Sequence, residues 1–170
     1  MSVGGAVLLP ETRDKILDQV DRYPSRRTAL LPSLKLAQAQ IGWLPPEAIA
    51  EVAELVGVSH ASANEIATFY AMLLTRKPGR ARVEVCVSLP CALAGGDRLL
   101  ADLAAGLGIE PGEMTADGAV ELVRTVECFG ACHRAPMCRV NLDYRENLDP
   151  DATQALIAEL KSGGASRNGA

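Results

Sequence analysis

Four of the chain's five cysteines fall into two pairs, in "VCVSLPCALAGG" and "VECFGACHRAPMC", and no other feature restricts the fold as tightly. Cys86 and Cys91 have four residues between them, Cys128 and Cys132 have three, and 36 residues separate the pairs. If the pairs serve one centre, two loops at neighbouring strand ends must meet around it. Three occupants compete for these thiols. Disulfides fit poorly in a reducing compartment, and the odd count leaves one cysteine over. Structural zinc knuckles usually carry the tighter C-x2-C spacing. Wider loops suit a larger object, such as the rhomb of a two-iron cluster, although the spacing is not that of plant-type or bacterial ferredoxins. Soft iron and zinc both favour thiolate sulfur, so the donor type alone does not decide. Thiol–disulfide exchange would call for C-x-x-C, and "CVSLPC" is too wide.

Composition narrows the function classes. A formal net charge of −4 with no long Lys/Arg run argues against a nucleic-acid surface. One Trp and two Phe leave little material for stacking platforms. The start, "MSVGGAVLLPETRDK", has no basic region before its apolar run and no cleavage pattern after it, so it does not read as a secretory signal. No apolar run approaches the roughly 18 residues of a membrane span. The expectation is a cytoplasmic protein, able to dock on the cytoplasmic face of a membrane-bound complex without inserting.

The texture along the chain changes once. "ETRDKILDQVDRY" puts Ile16, Leu17, Val20 and Tyr23 on one helix face. "PSLKLAQAQIG" predicts a second helix with Pro32 in its first turn and Gly42 as its stop. "PPEAIAEVAELVG" predicts a third, with Ile49, Val52, Ala53 and Val56 as its stripe. Ser59 caps a fourth, "HASANEIATFYAML", with Ile66, Phe69, Tyr70 and Leu73 facing inward. Short helices of this kind are stable only when packed, so residues 1–78 are expected to form a helical bundle. After Lys77-Pro78-Gly79, residues 82–86 alternate like a strand. A helix follows at "GDRLLADLAAGLG", then strands at "AVELVRTVE" and "MCRVNLDY", then a helix "DATQALIAELK" capped by Asp149 and burying Leu156, Ile157 and Leu160. Cys86 and Cys128 each close a strand here, and Cys91 and Cys132 each follow in a loop. The order is β-α-β-β-α over residues 79–161, and 162–170 reads as a flexible tail.

At this point the chain resembles the thioredoxin-like [2Fe–2S] ferredoxin subunits of NADH dehydrogenases, including respiratory complex I, with relatives in NAD-linked hydrogenases and formate dehydrogenases. The likeness runs from about Tyr23 to Tyr144. It rests on "ALLPSLKLAQAQIGWLPPEAI", "ATFYAML", "VCVSLPCALAGG", "GEMTADG" and "VECFGACHRAPMCRVN", in the family's order. The resemblance implies an α/β chain, a helical bundle followed by a thioredoxin-like [2Fe–2S] ferredoxin domain. It implies that Cys86, Cys91, Cys128 and Cys132 ligate the cluster. The helical half would grip an FMN- and NADH-binding flavoprotein subunit within a larger multi-subunit oxidoreductase. This chain would carry single electrons beside that flavin and would show no turnover alone.

Nearby glycines suit such a site. Gly95 and Gly96 lead into a helix whose N-terminus favours anions, and Gly130 lets the backbone curl around sulfur between two ligands. Other candidates are set aside. Cys138 reads as a small buried hydrophobe in a strand. His133 lacks the second histidine that a Rieske-type site needs, since His60 belongs to the helical half. Gly106-x-Gly108 with Gly112 follows a helix rather than a strand, so it is no dinucleotide fingerprint. Trp43 is expected to pack at a helix junction.

Overall fold

A computed structural model describes residues 6–163; the end of the expected tail, 164–170, lies outside the described residues. The chain divides into two compact units between Lys77 and Pro78.

The first unit contains four helices, α1 (Pro10–Arg22), α2 (Leu30–Ile41), α3 (Pro46–Val56) and α4 (His60–Phe69). Proline opens α1 and α3, where its missing N–H costs nothing. Gly42 and Gly57, both at positive φ, end α2 and α3. The Ser59 side chain accepts a hydrogen bond from the Ser62 N–H and caps α4. Ile16, Leu30, Leu34, Val52 and Val56 form the centre of one apolar core. A 3-10 turn, Arg26–Ala29, runs directly into α2, which has Pro32 in its first turn and Gly42 as its stop. Two expectations need correction. Leu17 and Tyr23 are exposed, because α1 packs through Ile16 and Val20 alone. The fourth helix ends at Phe69, so Phe69 and Tyr70 do not face inward. Phe69 is 77% exposed and meets Tyr70 edge-to-face on the surface, while α4 buries Ala63 and Ala67 instead.

The second unit is built on a four-stranded sheet in the order β2-β1-β3-β4. These strands are β1 (Ala81–Cys86), β2 (Val120–Thr125), β3 (Cys138–Val140) and β4 (Asp143–Arg145). The β1–β2 pair is parallel, whereas β1–β3 and β3–β4 are antiparallel. Between β1 and β2 come a short helix, α5 (Leu89–Leu93), and a long one, α6 (Gly96–Leu107); α7 (Pro150–Lys161) closes the unit. The Asp149 carboxylate accepts from Ala152 N–H and caps α7. Val83, Val85, Leu122 and Val140 form a core with Leu99, Leu103, Leu156, Ile157 and Leu160. At Gly106 α6 lies close against α7: a Cβ there would lie 2.5 Å from Ile157 Cδ1, so that side chain would have to shift.

Again the differences are informative. The single strand expected at "MCRVNLDY" is a hairpin, broken where Asn141 takes a positive φ. Asparagine tolerates that conformation better than most side chains. Cys128 does not close β2, which ends three residues earlier at Thr125, and Cys91 sits in α5 rather than in a loop.

Candidate metal centre

Parallel pairing of β1 and β2 puts both thiol-bearing segments at one end of the sheet. Cys86 is the last residue of β1 and faces Thr125, the last of β2, so the chain leaves both strands at the same edge. In open α/β sheets, ligands bind at the carboxyl ends of parallel strands. Hydrogen bonds tie the two segments together there. Val87 N–H donates to Thr125 O at 2.8 Å, and Cys86 N–H to Met137 O at 3.4 Å. The Ser88 hydroxyl donates to Val126 O.

Within this frame the thiols form an inner and an outer pair. Cys86 and Cys91 are buried and packed with Ala131, Met137, Phe129 and Ala135, and the Cys86 thiol donates to Glu127 O at 3.7 Å. Cys128 and Cys132 are exposed, with their sulfurs 3.2 Å apart. Gly130 N–H donates to Cys128 Sγ at 3.4 Å, across a tight turn in which Gly130 takes φ +83°. A left-handed turn of this kind is easiest without a side chain.

The electrostatics separate the pairs. Burial pushes the Cys91 thiol up to about 12, reinforced by Cys86 and by Cys132 and Cys128. The outer pair splits. The Gly130 N–H, then the Cys132 thiol, hold Cys128 below its ordinary value, while donating to Cys128 raises Cys132. Cys91 thus feels the other three thiols, and Cys132 feels Cys128 and Cys86. Among the described residues, no three His, Cys, Asp or Glu groups surround a point that a single ion could occupy. The donors stand as two sulfur pairs.

The start of α6 also belongs to the site. A Cβ on Gly96 would lie 2.8 Å from Cys86 O and 2.9 Å from Cys91 O, so helix and thiol backbones touch as only glycine allows. Gly95, at φ +102°, makes the turn into the helix. His133 is exposed in the 3-10 turn Cys132–Arg134, and Cys138 is buried in β3 among apolar side chains.

A family model described as thioredoxin-like [2Fe–2S] ferredoxin matches residues 16–161. The chain belongs to this family. The thiol constellation of this ferredoxin suits the family's cluster, which takes four cysteine thiolates in two pairs, one per iron. The Gly130 N–H···S bond favours such an anionic group, and the apolar lining limits its access to solvent. Among curated relatives, a subunit of the NADH-quinone oxidoreductase of Rhizobium meliloti is 41% identical, over 88% of this chain and 89% of that one. A subunit of the NADH-quinone oxidoreductase of Thermus thermophilus is 38% identical, over 90% and 86%. The fold also matches a crystal structure of an air-oxidised NAD+-reducing [NiFe]-hydrogenase, with TM-score 0.68 and 27% identity. That match spans 78% of this ferredoxin and 23% of the hydrogenase chain.

Sequence reasoning missed a row of charges on the sheet face opposite the core. Arg82 bonds Glu121 at 2.9 Å and reaches Glu84 at 3.5 Å, and Arg139 bonds Glu84 at 2.7 Å. Glu121 is fully buried. Alternating charges along a strand read as a solvent-facing edge, and nothing in one sequence separates that from a buried network. The cross-strand register Arg82↔Glu121 and Glu84↔Arg139 was the missing information.

Proposed function

We propose that this chain is the electron-transfer subunit of an NADH-oxidising complex, in which Cys86, Cys91, Cys128 and Cys132 hold the [2Fe–2S] cluster. Its redox partner is the FMN of a flavoprotein subunit that also binds NADH. The observation that carries this reading is the convergence of both thiol pairs, inner buried and outer exposed, at the carboxyl ends of two parallel strands. When bound, the cluster accepts and returns one electron at a time.

The protein's own residues do the rest. The four thiols lose their protons on ligation, which for buried Cys91 means giving up a proton that the apolar site holds tightly. Phe129, Ala131 and Met137 keep water from the inner pair, while exposure of the outer pair leaves a short path to a docked flavin. Gly130 N–H offsets thiolate charge at Cys128. Leu89, Leu93 and Val126, exposed next to the thiol segments, offer an apolar rim for the flavoprotein. On the helical unit, Phe69, Tyr70 and Met72 form a second exposed apolar patch that supports docking. No helix among the described residues is long and apolar enough to cross a membrane. That curated relatives are subunits of NADH-quinone oxidoreductases supports placing this chain in a larger oxidoreductase through protein contacts, on the cytoplasmic face where that complex is membrane-bound.

The test is a stopped-flow comparison. Oxidised chain mixed with NADH should keep its visible absorbance, and the same chain copurified with its flavoprotein should bleach in the first turnover. Bleaching by NADH without flavoprotein, or none with it, would overturn the assignment.

A further inference from the structure

The peptide unit that donates to Cys128 is held from its other end. Gly130 N–H, bonded to Cys128 Sγ at 3.4 Å, shares one peptide plane with the Phe129 carbonyl. That carbonyl accepts a 2.6 Å hydrogen bond from the Tyr144 hydroxyl. A second hold acts on the Phe129 ring, because the Arg139 guanidinium lies over it, 4.1 Å from the centroid. Arg139 and Tyr144 are direct cross-strand partners on β3 and β4, and Glu84 on β1 fixes Arg139 from the opposite side at 2.7 Å. One row across the sheet, Glu84, Arg139 and Tyr144, thus clamps the residue between Cys128 and Gly130. Phe129 also packs against the apolar cluster that contains Cys86, Cys91, Ala131 and Met137.

We propose that Tyr144 is a positioning residue that aims the Phe129–Gly130 peptide at Cys128 sulfur and thereby sets the reduction potential of the cluster, with Arg139 clamping the ring beneath. The inference rests on the ligand assignment above. A hydrogen bond accepted by the carbonyl polarises the peptide and strengthens the N–H at its other end. Donors to a ligating sulfur stabilise the extra negative charge of the reduced centre and raise its potential. Without the tyrosyl hydroxyl the peptide plane is free to rotate about Gly130, and the N–H···S bond weakens.

The experiment uses anaerobically purified full chain, comparing wild type with Tyr144→Phe and Arg139→Lys, and Tyr23→Phe in the other unit as control. EPR-monitored redox titration gives the midpoint potential, iron release to a chelator gives a rate, and thermal melting reports folding. Tyr144→Phe should load iron and melt like wild type, shift the midpoint to more negative potential, and release iron about 10-fold faster, as loss of an outer-shell partner does elsewhere. Arg139→Lys keeps the ion pair with Glu84 but loses the flat group over Phe129; it should shift the midpoint in the same direction and decides the question if Tyr144→Phe does not load. Loaded variants with wild-type potential and release rate would overturn the inference while leaving the ligand assignment intact. A wild-type chain that takes up no iron and sulfide would overturn the ligand assignment itself, and the inference with it.

Discussion

Gly96→Ala adds one methyl group where helix α6 meets the inner thiol pair. The new Cβ would lie 2.8 Å from Cys86 O, 2.9 Å from Cys91 O and 3.0 Å from Cys91 C. All three are backbone atoms, so no side chain can swing aside to relieve the overlap. Forcing extra volume into a packed site costs about 1–3 kcal/mol. Alanine's better helix propensity returns at most about 1 kcal/mol, and less at the first residue of a helix. A net loss of about 1–2 kcal/mol corresponds to a fall of roughly 5–15 °C in the melting temperature of a unit this size. Gly95→Ala is the control. It forces alanine into a positive φ at a cost of about 1–2 kcal/mol, yet its Cβ meets nothing within 4 Å. Both variants should therefore lose comparable stability, whereas only Gly96→Ala displaces the backbone of Cys86 and Cys91. The assay is differential scanning calorimetry of the apo chain, with iron and sulfide per chain after reconstitution. Gly96→Ala should load poorly and Gly95→Ala nearly normally. Wild-type iron content and melting temperature in Gly96→Ala would refute the reasoning.

Three further outcomes follow from the same contacts. Cys86→Ser and Cys128→Ser should each abolish visible cluster absorbance while Cys138→Ser keeps it; retained absorbance in both of the first two would remove them from the ligand set. Burial pushes the Cys138 thiol from its ordinary 9.0 up to about 12, so above pH 9 the unfolded chain loses this proton before the folded one does. Its contribution is intact below pH 9 and falls as pH rises. Relative to Cys138→Ala, apo wild type should lose about 2 kcal/mol between pH 8 and 10.5 in urea titrations, and parallel curves would contradict this burial. Glu121→Ala strips a buried carboxylate from Arg82 and should cost about 3–5 kcal/mol by urea denaturation, with a loss under about 1 kcal/mol counting against the network.

How far these features were legible differs from element to element. Helix α3 was readable to its ends, because Pro46 and Gly57 mark them and Ile49, Val52, Ala53 and Val56 share one stripe. Asp149 and Ser59 announced their caps for the same local reason. Phe69 and Tyr70 misled, since apolar side chains at helical spacing look alike whether they face a core or an open surface. The hairpin at Asn141 was hidden because "RVNLDY" alternates as smoothly as a single strand. At the candidate centre the paired spacing of the four thiols was visible in the residue order, whereas Gly96 read only as a helix entry and its close approach to Cys86 O and Cys91 O did not show. The clamp on Phe129 was not: it depends on residues 10 and 15 positions away being brought back by β3 and β4, which no local pattern encodes.

The most direct measurement is iron, zinc and acid-labile sulfide content of anaerobically purified protein, with EPR after dithionite reduction. A thiolate-bound two-iron cluster predicts about two irons and two sulfides per chain and an S = 1/2 signal in the reduced state. Stoichiometric zinc without sulfide, persisting after iron supplementation, would contradict the account and make the four cysteines a structural clasp.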